Sequence, residues 1–304
     1  MDEEIAAETT PSRWEAAQAH LGSESHESLA PKRIRPAKLA CVAETPIGED
    51  IMIVKTTPWI CGGRISSKAR CRLFCLPHSG SGASQFYSWQ NLLPPVLDIC
   101  PIQLPGRENR LREAPLTQIH RIAEILAPEL KPYLDRPYIL YGYSTGALIA
   151  FELARQLRRQ EADPAVSLFT LARPAAHLAQ TKSPLRQLPD DIFLRELSRR
   201  FNGMSPVILQ DRELMELVLP TLRADITALE TYIYREEEPL DCPIRAFGGS
   251  FDATTTEEEL RGWRRHTIRS FELRMFPGDH FFIRSNQTSV LDAIVKDIPL
   301  ELPQ

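Results

Sequence analysis

The stretch PYILYGYSTGALIAFELARQL, residues 137–157, runs a short apolar segment through Gly142, Tyr143, Ser144, Thr145 and Gly146 and straight into an alanine-rich amphipathic one. The first half has the composition of a buried strand, and the second repeats apolar side chains at helical spacing. A serine on a tight turn from strand to helix is held above the sheet edge with its hydroxyl exposed. Gly142 and Gly146 remove the Cβ atoms that would keep strand and helix apart. The helix start adds free N–H groups and a positive dipole end beside the oxygen. The same Gly-x-Ser-x-Gly pattern also fits a glycine-rich connection whose serine only packs, so the chemistry depends on partners elsewhere in the chain.

Working outward, the segments RLFCLPH, DICPIQLPG, PYILYG, AVSLFTLARPA, CPIRAFGGSFD and SFELRMFPG read as strands, separated by amphipathic helical stretches such as LTQIHRIAEILAPELKPYL and TEEELRGWRRHT, with a last helix after Asn286. This order predicts an α/β fold with a mostly parallel sheet covered on both faces. Residues 175–235 interrupt the alternation with DIFLREL, ELMELVLPTL and DITALETYI, all helical in spacing, and predict a helical cap over the carboxyl edge of the sheet. IMIVKTTPWI, residues 51–60, is expected as the first strand of the body. Residues 1–50 mix charge, Pro, Ser and Ala with little periodicity, which predicts an N-terminal extension, open between a disordered tail, an adaptor and the product of an upstream start codon, and leaves 51–304 as one domain.

With 43% hydrophobic and 25% charged residues, 304 residues suffice for one large core. A net charge of -4 gives no reason to expect a nucleic-acid partner. No apolar run approaches the roughly 18 to 20 residues that span a bilayer, so no membrane partner is expected. The amino terminus MDEEIAAETT has neither a basic nor an apolar leader region, which predicts a cytoplasmic protein with its six cysteines as free thiols. Cys71 and Cys75 share one strand face without a second Cys or His pair, so buried thiols are expected there and no metal.

A serine hydroxyl needs a base, and the base an orienting acid. His280, in FPGDHFFI, follows an apolar strand and falls at the carboxyl edge, whereas His177 and His266 read as surface or packing residues. Asp252 ends IRAFGGSFD at the same edge. Asp279 neighbours His280 too closely in an extended loop, Asp241 precedes its strand, and Glu257 to Glu259 suit the first turn of a helix. The expected catalytic set is therefore Ser144, Asp252 and His280. An oxyanion hole needs two backbone donors. The amide of Thr145 supplies one, and the loop LPHSGSG supplies the other, expected at Ser79. His78 is expected to shape that loop and border the substrate rather than act as a second base, and Tyr143 is expected to border the substrate as well. Two basic clusters stand out: Arg107, Arg110 and Arg112, expected near the entrance, and Arg155, Arg158 and Arg159, expected to point away from it.

PHSGSGASQFYSW, QLPGRENRLREAPLT, GYSTGALIAFELAR, LPDDIFLREL, RELMELVLPTLRADITALETYIY, LDCPIRAFGGSFD and FPGDHFFI, in that order from about Trp59 to Leu291, together resemble a type II thioesterase, the stand-alone α/β-hydrolase of polyketide and nonribosomal peptide biosynthesis. The resemblance implies an α/β-hydrolase fold with a helical lid. It implies acyl or aminoacyl thioesters on a phosphopantetheine arm as substrates, an acyl or peptidyl carrier protein as partner, and no cofactor of the enzyme's own. The Arg107, Arg110 and Arg112 cluster is then expected to meet an acidic carrier. The family has His before the nucleophile and Met after it, where this chain has Tyr143 and Thr145; the Thr145 amide is kept, and a differently shaped acyl pocket is implied. Two other readings remain open at this point: a serine esterase or lipase on small free esters, and a non-hydrolytic cyclase or binding protein using the same pocket.

Overall fold

The computed structural model describes residues 57–62, 66, 69–179, 182–201 and 212–298, so the expected extension over 1–50 and most of the expected first strand lie outside the described residues. Six strands form one sheet: β1 (Cys71–Leu76), β2 (Leu97–Pro101), β3 (Tyr138–Tyr143), β4 (Ser167–Leu171), β5 (Ile244–Gly249) and β6 (Phe271–Phe276). Their order is β2-β1-β3-β4-β5-β6 and every pairing is parallel. β1 and β3 therefore lie side by side while the chain between them runs out to β2 and back. That reversal of winding opens a crevice at their carboxyl ends, where open α/β sheets bind ligands.

The central strands are mostly apolar because both faces are covered; CRLFCL in β1 and YILYGY in β3 are buried at every position. Alternate side chains part to the two faces. Phe74, Leu76 and Leu140 pack with helices α1 (Ile119–Leu130) and α2 (Thr145–Arg159). Leu73, Cys75, Ile139 and Tyr141 pack with the 3-10 segment Ala83–Asn91 and with the last helix. Helices α3 (Asp190–Phe201) and α4 (Arg212–Glu230) form the lid, with a core of their own around Phe193, Leu197, Leu222 and Ile226. A short α5 (Glu257–Arg261) starts on a capping box in which Thr256 and Glu259 satisfy each other's backbone donors. The last helix, α6 (Ile283–Lys296), begins before Asn286 rather than after it, and Asn286 sits at a non-helical kink inside it.

Two expectations change here. Within 57–60 only Ile60 pairs, in a single antiparallel bridge to Ile102, so this stretch is not a strand of the body. The basic cluster at the entrance is not a free surface. Arg107 and Arg110 are buried, Arg107 in a two-pronged ion pair with Asp225 and Arg110 between Glu113 and the face of Trp59. Guanidinium groups buried this way hold the loop after β2 and leave only Arg112 of the three exposed. The second cluster is likewise neutralised by Glu152 and Glu237. All five cysteines among the described residues are free and buried. No helix among them is long and apolar enough to cross a membrane.

Candidate active site

Four loops meet above the carboxyl ends of β1, β3, β5 and β6, and each brings at least one expected residue. The turn after β3 places Ser144 at φ 53, ψ -112, a left-handed conformation for a residue with a Cβ. Such a position costs about 1–3 kcal/mol unless its surroundings impose it. Here they do. The Ser144 amide donates to the Leu171 carbonyl at 2.8 Å. A Cβ on Gly142 would lie 2.2 Å from the Gly146 carbonyl oxygen, and one on Gly146 would lie 2.3 Å from the Leu76 carbonyl oxygen. Both positions therefore require glycine, and the strand, the elbow and α2 close on one another around the serine.

His280 Nε2 lies 3.0 Å from Ser144 Oγ, and its Nδ1 lies 2.8 Å from Asp252 Oδ2. A carboxylate accepts, so Nδ1 carries the proton and Nε2 is left with its lone pair toward the serine hydroxyl. Burial by itself would push the Asp252 carboxyl up, but the hydrogen bond and charge of His280, together with Thr254, outweigh it and hold the group below the usual carboxylate range. Thr254 is the member that sequence reading did not single out. Its amide and hydroxyl donate to Asp252 Oδ1 at 2.7 and 2.6 Å, and the hydroxyl stands 3.0 Å from His280 Nδ1. The signal was present: an Asp followed two residues later by Thr is an Asx-turn pattern, in which the aspartate accepts the backbone amide. Asp279 faces elsewhere, accepting the Phe281 amide at 2.8 Å, and Asp241 pairs with Arg269.

The amides of Ser79 and Thr145 have no acceptor among the described residues, and the two side-chain hydroxyls meet at 2.5 Å. Thr145 thus clasps the loop after β1 to the start of α2, so its hydroxyl does not reshape the acyl cleft. Tyr143 is a correction: it is fully buried, lines neither cleft at the serine, and donates its hydroxyl to the backbone carbonyl of His280. A side chain in an inward-facing strand position reaches the underside of the site, so Tyr143 holds the histidine loop instead of touching substrate. His78 does line the cleft. Its Nδ1 donates to the Ser79 carbonyl at 3.0 Å, and burial brings its imidazole down to about 4, so it is neutral at neutral pH.

The loop carrying Ser79 has a further support. Gly80, at φ 76, donates its amide to Asp225 Oδ2 at 2.8 Å, and the same carboxylate binds Arg107 through contacts of 2.7 Å. Asp225 belongs to α4, so one buried carboxylate joins lid, loop and the chain after β2. Nothing local in the sequence marks it, because its partners are 145 and 118 positions away.

Above Ser144 lies an apolar cleft of about 500 Å³, with Leu197, Phe201, Leu222, Ile226 and Leu229 of the lid as its roof. A hydroxyl beside an imidazole, two amides without an acceptor among the described residues and an apolar chamber together suit nucleophilic attack on an acyl carbonyl.

Known proteins are similar to this chain in sequence and in fold. A family model described as the thioesterase domain matches residues 71–298. The chain is 42% identical over 250 residues to the gramicidin S biosynthesis protein GrsT of Aneurinibacillus migulanus, covering 82% of this chain and 97% of that one. Among solved structures it is similar to the RedJ thioesterase of the prodiginine pathway in Streptomyces coelicolor, at 36% identity and a TM-score of 0.71, covering 76% of this chain and 91% of the other. It is also similar to YbtT, a type II thioesterase of the yersiniabactin NRPS/PKS pathway, at 31% identity and a TM-score of 0.68, covering 77% and 94%.

Proposed function

This chain belongs to the thioesterase domain family, and we propose that it releases acyl groups held as phosphopantetheine thioesters on an acyl or peptidyl carrier protein in nonribosomal peptide or polyketide biosynthesis. In this reading Ser144 is the nucleophile, His280 the general base and Asp252 its orienting acid. The single observation that carries it is the position of His280, 3.0 Å from the serine hydroxyl and 2.8 Å from the carboxylate.

The steps follow from those atoms. His280 Nε2 takes the Ser144 proton as Oγ attacks the thioester carbonyl, and the oxyanion forms toward the Ser79 and Thr145 amides. The intermediate collapses with cleavage of the C–S bond, and the thiolate leaves with the proton returned by His280. A thiol with an ordinary pKa near 8.5 departs with little acid assistance, so the site is suited to thioesters more than to amides. Water, deprotonated by the same Nε2, then attacks the acyl-serine and frees the acid. Side chains and backbone amides supply every step, so the proposal includes no cofactor.

The test compares release from an acylated carrier protein with hydrolysis of a soluble p-nitrophenyl ester. Release that exceeds ester hydrolysis severalfold in kcat/KM supports the reading, and preference for the ester opposes it. Ser144→Ala and His280→Ala should each lower turnover by about 10⁴ to 10⁶ while thermal melting stays close to that of the unaltered protein. More than a few per cent residual turnover in Ser144→Ala would remove the serine from its role.

A further inference from the structure

Ser144 and His280 line a second cleft besides the apolar one, of about 700 Å³, and its chemistry is different. The apolar cleft is lined by Leu197, Phe201, Leu222, Ile226, Leu229 and Phe281, with His78, Ser79, Ser144 and His280 on the side of the reacting atoms. The second is walled by Arg173, Lys182, Arg200, Thr254 and Thr255 together with the carboxylates of Glu230 and Glu259.

Those carboxylates are already engaged. Glu230 accepts the amides of Leu185 and Arg186 at 2.5 and 3.0 Å, and Glu259 accepts the amide and hydroxyl of Thr256 at 2.7 and 3.0 Å. Arg173 has no ion pair among the described residues, and its buried Nε has no hydrogen-bond partner; the buried hydroxyl of Thr255 has none either. Burial brings the Arg173 guanidinium down to about 10, so it stays charged through the neutral range. Native interiors seldom leave such donors unmatched, and two in one cleft beside a nucleophile point to acceptors that arrive with a ligand. Farther out, Arg200 is half-buried with no ion pair among the described residues, while Lys182 is exposed and donates to the Ala253 carbonyl at 3.1 Å.

A phosphopantetheine thioester has two unlike halves joined at the carbon Ser144 would attack: an acyl chain, and an arm carrying two amides and ending in a phosphate. We propose that the acyl chain enters the apolar cleft and the arm lies in the second one, with Arg173 and Thr255 donating to its amide carbonyls and Arg200 and Lys182 meeting its phosphate. The inference rests on the thioesterase reading and assigns the binding of the leaving group to Arg173. No bond beyond those of that reaction is made or broken; the arm leaves as the thiol along the cleft that held it.

The experiment holds one acyl group, hexanoyl, constant and extends the thiol: ethanethiol, N-acetylcysteamine with the first amide, pantetheine with both, and phosphopantetheine. Arg173→Met keeps the length of the side chain and removes its donors. Its loss in kcat/KM should be about tenfold greater on the pantetheine thioester than on the ethyl thioester, mostly through KM, and Arg173→Lys should recover part of it. Replacing Arg200 and Lys182 together by Gln should penalise the phosphopantetheine substrate beyond pantetheine, less so as salt rises. An equal loss on all four thiols, or none, overturns the inference, as does a loss that follows a carboxylate on the acyl group, in a glutaryl series, instead of the length of the arm. If the unaltered protein hydrolyses none of the four, it is the thioesterase reading that fails.

Discussion

Thr254 donates twice to the outer oxygen of Asp252, and this decides how firmly the carboxylate faces His280. Thr254→Val keeps the backbone donor and the shape but removes the hydroxyl, so kcat should fall about ten- to a hundredfold with KM little changed, the size expected for one hydrogen bond to a charged group. Steady-state kinetics on one soluble thioester checks this, and an unchanged kcat would mean that the amide alone suffices. At this scale the sequence was informative where chemistry follows a strand end. Ser144, Asp252 and His280 could each be placed because an apolar run stops just before them, and the carboxyl edge of a parallel sheet is where such runs converge. Tyr143 could not be placed. The residue before the serine is the last of its strand, and whether it looks up at substrate or down under the histidine loop depends on a half-turn that no local pattern records. The arginines misled for a related reason: Arg107 looks like surface charge until its carboxylate, 118 positions away, is known.

Helix α4 and the loop after β1 act as one element because Asp225 binds both Arg107 and the Gly80 amide. The amide next to Gly80 is that of Ser79, so the ion pair fixes the loop that carries the proposed oxyanion donor. Removing one member leaves a buried unpaired charge, and Asp225→Leu should cost about 3–5 kcal/mol of stability. The double variant Arg107→Met with Asp225→Leu removes both charges and should regain most of that, while turnover stays at least about tenfold low because Gly80 has lost its acceptor. Urea unfolding beside single-turnover kinetics separates the two effects. Turnover returning in step with stability would show that the pair only stabilises the lid. The lid helices themselves were readable from their apolar spacing, and α4 continues through Pro220, where a break would be the ordinary expectation. How they attach to the sheet was not readable, since that lies in contacts between distant segments.

For the molecule as a whole, the core among the described residues and the family match both begin beyond residue 50 and both end at Ile298. Buried apolar residues among those described run from Trp59 to Ile298, and the thioesterase domain model spans 71–298. Deleting residues 1–50 should therefore leave hydrolysis of a soluble thioester within a few-fold, as an activity assay on the shortened chain would show, whereas an insoluble product would make the extension part of the fold. A second site is expected to contribute to acid sensitivity beside the paired carboxylates. His266 is buried against Phe151, Trp263 and Tyr234, with Nε2 2.8 Å from His177 Nδ1. Burial first, then the neighbouring His177, Arg265 and Arg155, bring it from 6.5 down to about 3, with Glu152 opposing. A depressed histidine is neutral in the fold while the unfolded chain takes up its proton, so its contribution is fully present above about pH 6.5 and is lost as the pH falls toward 3. The slope is about 1.4 kcal/mol per pH unit for one such group. His266→Leu removes the titrating ring, so unfolding free energy measured at pH 7 and again at pH 4.5 should fall by about 2–3 kcal/mol less than in the unaltered protein. His177, less buried and lowered in the same direction by burial, retains a smaller share of the effect. An equally steep acid loss in His266→Leu would place the sensitivity in other groups, with His78 beside the nucleophile, brought down to about 4, the next to replace.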